Sequence, residues 1–263
     1  MGYMEEAKVY FITGVTSGIG REFAVQLIKA GNLVYGIGRR KSSLESLKKE
    51  LEEAGDRFLF SVCDVRESEK VQESIKICLK KFNKIDVLIA NAGYSSRASF
   101  ENFSFHEYKE QINVNTLAPI DILYRCYDEL VKSKGQFVTI SSVLAYGALD
   151  TYSAYSMSKV ALSYFCEGVR NDLKKVGIDM TVIVPGYVNS DIRLRDNLGN
   201  FTSKLDRKNI SLLEMDTNKA VSKMIRGIQK RKKLLRVGLS TYFLIALISS
   251  FSSLINKVLF RRT

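Results

Sequence analysis

The chain of 263 residues has no tryptophan, one histidine and two prolines. The single histidine, His106 in "FSFHEYKE", follows Ser104 at the start of a helical pattern and reads as a surface residue. That removes a histidine-based catalytic triad and a histidine-rich metal site. Proline is confined to Pro119 and Pro185, and no low-complexity stretch or internal repeat is visible. The four cysteines, Cys63, Cys78, Cys126 and Cys166, are too far apart for a CxxC motif. They read as buried, reduced thiols of a cytosolic chain, and no metal is expected.

A secretory layout is missing too. The opening "MGYMEEAKVYFITG" is acidic and runs straight into a strand, without the charged-then-apolar order of a signal peptide. Glu6 at the sixth position, in place of Ser or Thr, discards myristoylation of the opening Met-Gly. A cytoplasmic location is therefore expected. The last absence is of acid: from Lys219 onward there are eleven Lys or Arg and no Asp or Glu. The net charge of +12 sits almost wholly there, because the first 218 residues carry 29 basic against 28 acidic side chains. A near-neutral body is not a nucleic-acid-binding surface, and the C-terminal region carries something separate.

What is present is an alternation. Hydrophobic residues make up 46% of the chain, as in a globular protein. "KVYFIT", "LVYGIG", "RFLFSVCDV", "DVLIANAG", "GQFVTISS", "DMTVIVPG" and a weak "LLRVG" read as strands, and helical patterns lie between them. One helix is expected to open at Ser43 as its N-cap, and one long helix to run from about Ser104 to Val131. Continuous apolar strands alternating with helices indicate an α/β fold. It is a single doubly wound parallel sheet of about seven strands, covered on both faces. Ligands of such sheets sit beyond the carboxyl ends of the strands. The unusual residues fall there: Gly14, Gly38-Arg39, Asp64, Asn91-Ala92-Gly93, Ser142 and Pro185-Gly186.

"TGVTSGIG", Thr13 to Gly20, lies between the first strand and the first helix. Its glycines allow a tight turn, and the helix N-terminus offers N–H groups to a pyrophosphate. The Gly-Lys-Ser/Thr ending of a nucleotide triphosphatase loop is absent. The end of the second strand reads "GIGRRKS", with Arg39, Arg40 and Lys41 and no acid. A carboxylate there would bind ribose hydroxyls, whereas guanidinium groups grip a 2′-phosphate, so NADP(H) is the expected cofactor.

"YSMSK" places Tyr155 and Lys159 one helical turn apart on one face. A free tyrosine titrates near 10, and an adjacent ammonium stabilises the phenolate, which makes the phenol a usable proton donor. Ser142 ends a strand thirteen residues earlier. Tyr152 has no Lys at i+4 and reads as pocket wall.

From about Lys8 to Gly238 the chain resembles the short-chain dehydrogenase/reductases, a Rossmann-type family. The glycine-rich motif matches Thr13, Gly14, Ser17, Gly18, Ile19 and Gly20. The adenine-pocket Asp matches Asp64, beside Val65, and the NAG motif matches Asn91, Ala92 and Gly93. The catalytic set matches Asn115, Ser142, Tyr155 and Lys159. "PGYVNS" supplies Pro185, Gly186, Val188 and Ser190, where Ser190 replaces the family's Thr but keeps a hydroxyl. The resemblance implies hydride transfer from NADPH to a carbonyl, with Tyr155 protonating the oxygen and Ser142 donating to it. It implies that Lys159 binds the nicotinamide ribose, that Asn115 holds a water linking Lys159 to solvent, and that the chain is a dimer or tetramer. "NSDIRLRDNLGNFT" and the basic helix after it resemble the reductases near 11β-hydroxysteroid dehydrogenase, which implies an apolar ketone substrate.

Residues 1–238 thus read as the NADP-binding catalytic domain and 239–263 as an amphipathic C-terminal helix. Gly238 to Asn256 is nineteen residues without a charge, with Leu244, Leu247, Ile248, Phe251, Leu254, Ile255 and Val258 at helical spacing and serines opposite. "KRKKLLR" precedes it. Three placements are open: in the interface of an anionic membrane, packed on the protein body or the substrate mouth, or spanning a bilayer. Oxidation of an alcohol by NADP, or a non-catalytic NADP(H)-binding scaffold, are the alternative activities.

Overall fold

The computed structural model describes residues 6–188, 200, 214–238 and 241–250. Seven strands form one sheet: β1 (Val9–Thr13), β2 (Leu33–Gly38), β3 (Phe58–Val62), β4 (Val87–Ala90), β5 (Gln136–Ile140), β6 (Asp179–Pro185) and β7 (Leu234–Val237). Their order is β3-β2-β1-β4-β5-β6-β7, and every neighbouring pair is parallel. Parallel neighbours need crossovers, and seven helices supply them. These are α1 (Gly18–Lys29), α2 (Lys41–Glu50), α3 (Ser68–Phe82), α4 (Phe105–Ile112), α5 (Ala118–Lys132), α6 (Ser153–Lys175) and α7 (Thr217–Gln229).

The strand pleat divides the core in two. Val9 and Phe11 face the layer of α3, α5 and α6, where they meet Ile75, Ile122 and Leu162. Tyr10 and Ile12 point the other way, into Phe23, Leu44 and Met224 of α1, α2 and α7. Strands buried on both faces are mostly apolar, which is why β4 reads as an unbroken run and β1 and β5 carry polar side chains only at Thr13, Gln136 and Thr139. All four cysteines are buried and free, and burial pushes Cys63 up to about 11. The order reverses between β1 and β4, so the crevice for a ligand opens at their carboxyl ends.

Two local expectations are corrected. Ser43 does not cap α2: the last extended residue is Arg40 (φ −92°, ψ 98°), and Ser43 lies inside the first turn. The helix expected over Ser104–Val131 is two helices joined by a π-turn, Asn113–Leu117. Ser104 caps the first of them in a reciprocal capping box with Glu107. An extra residue in a helical turn rotates the side chains that follow, and this one carries Asn115.

Lys230 to Lys233 enters β7 at its start, and a helical segment, 241–250, leaves from its end. The basic run and the helix are thus separated by the length of the strand expected at "LLRVG", about 13 Å for four residues. Arg231 is already engaged by Asp179 at 2.6 Å. Among the described residues no helix is long and apolar enough to cross a membrane. Within 241–250, Thr241, Leu244 and Ile248 are buried while Tyr242, Phe243, Ser249 and Ser250 are exposed.

Candidate active site

One cavity of about 270 Å3 runs along the carboxyl ends of β1, β2, β4, β5 and β6. At one end are Gly14, Ser17, Gly18 and Ile19 from the β1–α1 turn, with Arg39, Arg40, Asp64 and Val65. In the middle are Asn91, Ala92, Gly93, Pro185, Gly186 and Val188. At the other end are Ser142, Tyr155 and Lys159. Thr13, Gly20 and Asn115 do not line it, and Ser190 lies outside the described residues.

The residues off the cavity shape it. The Thr13 hydroxyl accepts from the Asn91 and Ala92 backbone N–H groups at 3.0 and 2.9 Å. The Asn91 side-chain amide donates back to the Thr13 carbonyl at 2.9 Å. These bonds pin the ends of β1 and β4 together at the crevice. Gly14 has φ +76°, which glycine adopts without strain. A Cβ on Gly20 would lie 2.3 Å from the Asn91 amide nitrogen and from the Gly14 carbonyl, so α1 can begin this close to β4 only through glycine.

The phosphate end fits a dinucleotide. The first turn of α1 carries no acidic residue, and Ser17 at its N-cap makes no side-chain cap bond. Its leading N–H groups therefore offer an anion site open to the cavity. Arg40 donates to the hydroxyls of Thr16 (2.9 Å) and Ser17 (2.8 Å), which anchors its guanidinium over the turn. Arg39 lies 3.8 Å from the Asp64 carboxylate. Burial favours the neutral form of Asp64, but hydrogen bonds and charge from Arg66 outweigh it and hold the carboxyl below the usual range.

At the other end, the Lys159 ammonium donates to the Ile140 carbonyl at 2.8 Å and lies 5.8 Å from the centre of the Tyr155 ring. The Ser142 hydroxyl accepts from the Leu144 N–H at 3.2 Å, which leaves its own proton to donate into the cavity. Asn115, fully buried, donates from its amide to the Tyr94 carbonyl and the Ser158 hydroxyl, both at 3.0 Å, and accepts from the Tyr94 N–H at 3.1 Å. A Cβ on Gly93 would lie 2.9 Å from the Asn115 oxygen and 3.6 Å from the Lys159 nitrogen, so both side chains press on one point of the cavity floor.

Burial pushes Lys159 down to about 8. The unfolded chain, with lysine near 10.4, therefore holds more protons than the folded one between about pH 8 and 10.4, and stability rises with pH across that window. Lys159→Met removes this dependence. Raising the pH from 7 to 10 is expected to shift the stability difference toward the wild type, by up to roughly 3 kcal/mol. Urea melts of the cofactor-free proteins at both pH values measure it, and a pH-independent difference would refute the burial account.

Tyr94 and Leu149 line the cavity too, in the stretches 94–98 and 143–150 where sequence reasoning expected the substrate to be chosen; it missed Thr16, Ser141 and Ile248. Tyr152 lines the cavity as wall, as its sequence context indicated. Ile248 is the distant one. Its signal was the stripe it shares with Leu244, four residues earlier.

Residues 8–199 match a family model described as short chain dehydrogenase. An 11-beta-hydroxysteroid dehydrogenase-like 2 of Arabidopsis thaliana is 33% identical over 70% of this chain and 60% of its own. A farnesol dehydrogenase of Aedes aegypti is 33% identical over 70% of this chain and 79% of its own. The crystal structure of an alcohol dehydrogenase from Thermococcus sibiricus, complexed with 5-hydroxy-NADP, superimposes with a TM-score of 0.74 at 25% identity. That match covers 89% of this chain and 97% of that one.

Proposed function

Because the chain belongs to the short-chain dehydrogenase/reductase family of nicotinamide-dependent oxidoreductases, we propose that it is an NADPH-dependent reductase of apolar, lipid-like ketones. The observation that carries this reading is one cavity with Ser142, Tyr155 and Lys159 at one end and Arg39 and Arg40 at the other. NADPH supplies the hydride when bound. The α1 N-terminus with Gly14, Ser17, Gly18 and Ile19 would hold its pyrophosphate, and Arg39 and Arg40 its 2′-phosphate. Asp64 and Val65 would face the adenine. Asn91 to Gly93, Pro185, Gly186 and Val188, with Ser190, would flank the nicotinamide half.

Tyr155 donates its phenolic proton to the carbonyl oxygen as that oxygen gains charge. Ser142 donates a hydrogen bond to the same oxygen, a fixed donor where charge develops. The Lys159 cation stabilises the phenolate left on Tyr155, binds the ribose hydroxyls and, through a water held by Asn115, exchanges protons with solvent. The arginines support NADP over NAD, as does the cofactor analogue named for the Thermococcus structure. The mosquito relative named for farnesol supports an apolar substrate.

The test is NADPH consumption by the purified chain with hydrophobic ketones at neutral pH, run beside NADP with the matching alcohols. Ketone-dependent consumption is expected. Turnover only with alcohols would make it a dehydrogenase, and turnover in neither direction, with NADPH still bound, would make it a scaffold.

Two assembly features belong to the same proposal. Leu117, Tyr124, Met157 and Tyr164 are exposed on and beside α5 and α6, which supports a homodimer through these helices. Tyr124→Glu with Tyr164→Glu should then sediment as a monomer, and an unchanged mass would remove that interface. Residues 239–263 would be the second unit; of them Tyr242 and Phe243 are exposed, and peripheral contact with anionic membrane is proposed through this stretch. Flotation of the full chain with anionic vesicles, but not of a chain ending at Val237, is expected. Equal behaviour of the two would remove the membrane role.

A further inference from the structure

We infer that segment 241–250 is the far wall of the substrate pocket and that Ile248 sets the size of substrate body accepted. This rests on the carbonyl-reductase reading of the site. Ile248 lines the same cavity as Ser142 and Tyr155, although more than ninety residues separate them in sequence.

The segment is seated by several independent contacts. Leu244 and Ile248, one turn apart, are 8% and 4% exposed and join the core cluster of Leu144 and Tyr155. The Thr241 hydroxyl donates to the Val237 carbonyl at 2.6 Å, which ties the start of the segment to the end of β7. Arg236 stands 6.0 Å from the Tyr146 ring centre and 5.4 Å from that of Tyr242, so one guanidinium bridges the loop after β5 and the segment. Gly147 is the seat itself. A Cβ there would lie 2.6 Å from the Ile248 Cγ2 and 3.0 Å from its carbonyl oxygen. The loop meets the segment backbone-close, and a Cβ at Gly147 would collide with the Ile248 Cγ2 methyl unless that methyl were removed.

The chemistry of this end names the substrate class. Around Ile248 the cavity is lined by Val143, Leu144, Leu149, Tyr152 and Tyr187, none of them charged. Among the described residues the charged liners are Arg39, Arg40 and Asp64 at the phosphate end and Lys159 beside Tyr155. A carboxylate or ammonium on the substrate body would lose its hydration here with no partner among these liners in return. The accepted substrate is a ketone whose body is uncharged and apolar, with its length or width limited by Ile248.

The experiment uses the full chain and straight-chain methyl ketones from butanone to undecanone. Ile248→Trp is expected to lower kcat/KM for the longest ketones about tenfold or more relative to butanone, and Ile248→Ala to shift the optimum toward longer ones. The KM for NADPH should stay within about twofold, since Ile248 lies away from the phosphate end. An equal loss on every ketone, or no change on any, overturns the assignment.

A second measurement reads the seat without turnover. The Gly147→Cys/Ile248→Cys protein places its two Cβ atoms no more than about 4 Å apart, within disulfide range. It should form that bond on mild oxidation, while the four buried native thiols stay free. Failure to form it overturns the wall. If the bond forms but the wild type reduces no ketone, the proposed function fails and takes the size-selection assignment with it, while the packing stands.

Discussion

Tyr155→Phe is expected to lower kcat/KM for ketone reduction by about a thousandfold while the KM for NADPH stays within about threefold. The substitution deletes one oxygen and keeps the ring, and Tyr155 is only 7% exposed in the wall where α6 begins, so packing survives. What is lost is the proton donor. Without it, the oxygen that gains charge must draw a proton from water across a site where the remaining donor is Ser142. General acids contribute about 10²–10⁴ in rate, and a thousandfold loss is about 4 kcal/mol of transition-state stabilisation. Ser142→Ala removes a donor and not a proton source, so its loss should be smaller, about a hundredfold. Steady-state kinetics on both variants measure the order. A Tyr155→Phe protein within about threefold of wild type would end the role assigned to this residue.

Arg39→Ala with Arg40→Ala is expected to reduce the preference for NADPH over NADH by about two orders of magnitude. Each charge-assisted hydrogen bond to a phosphate is worth about 1.5–3 kcal/mol, and the adenine ribose of NADH carries no such phosphate. The loss should fall on the KM for NADPH, with NADH changed little. Asp64 keeps Arg66 at 2.6 Å in the double variant, so the adenine pocket is not left with an unpaired carboxylate. Arg40 contributes more than charge, because its bonds to Thr16 and Ser17 fix the turn that opens α1. Parallel weakening of both cofactors would mean that the arginines hold the turn and do not read the phosphate.

Much of this was legible in the chain because the sheet is buried on both sides. β1 and β5 are apolar apart from Thr13, Gln136 and Thr139, and Gly14 and Ser142, just beyond them, mark the strand ends where a ligand binds. The pairing of Tyr155 with Lys159 was legible because helical spacing is fixed. Other features depend on contacts that no local pattern contains. Thr13 belongs to the glycine-rich motif, yet its hydroxyl faces inward to the β4 turn, because the strand pleat and not the motif decides where it points. Ser43 is a good capping residue, but β2 ends at Gly38 and the chain turns helical at Lys41, which passes the cap position to Arg40. The π-turn at Asn113–Leu117 leaves no periodicity signal, since both flanking helices keep their own. Ile248 reaches the active site through Gly147, a position whose role is to have no side chain.

The measurement that tests the central claim most directly follows a label. The wild-type chain is given NADPH carrying deuterium at the transferable position, an apolar ketone and ordinary water, and the product is read by mass spectrometry. The account predicts an alcohol with one deuterium on the carbinol carbon and none on the oxygen, formed at least a hundredfold faster than by Tyr155→Phe. A ketone recovered unchanged while NADPH remains bound, or an alcohol without the label, would contradict it.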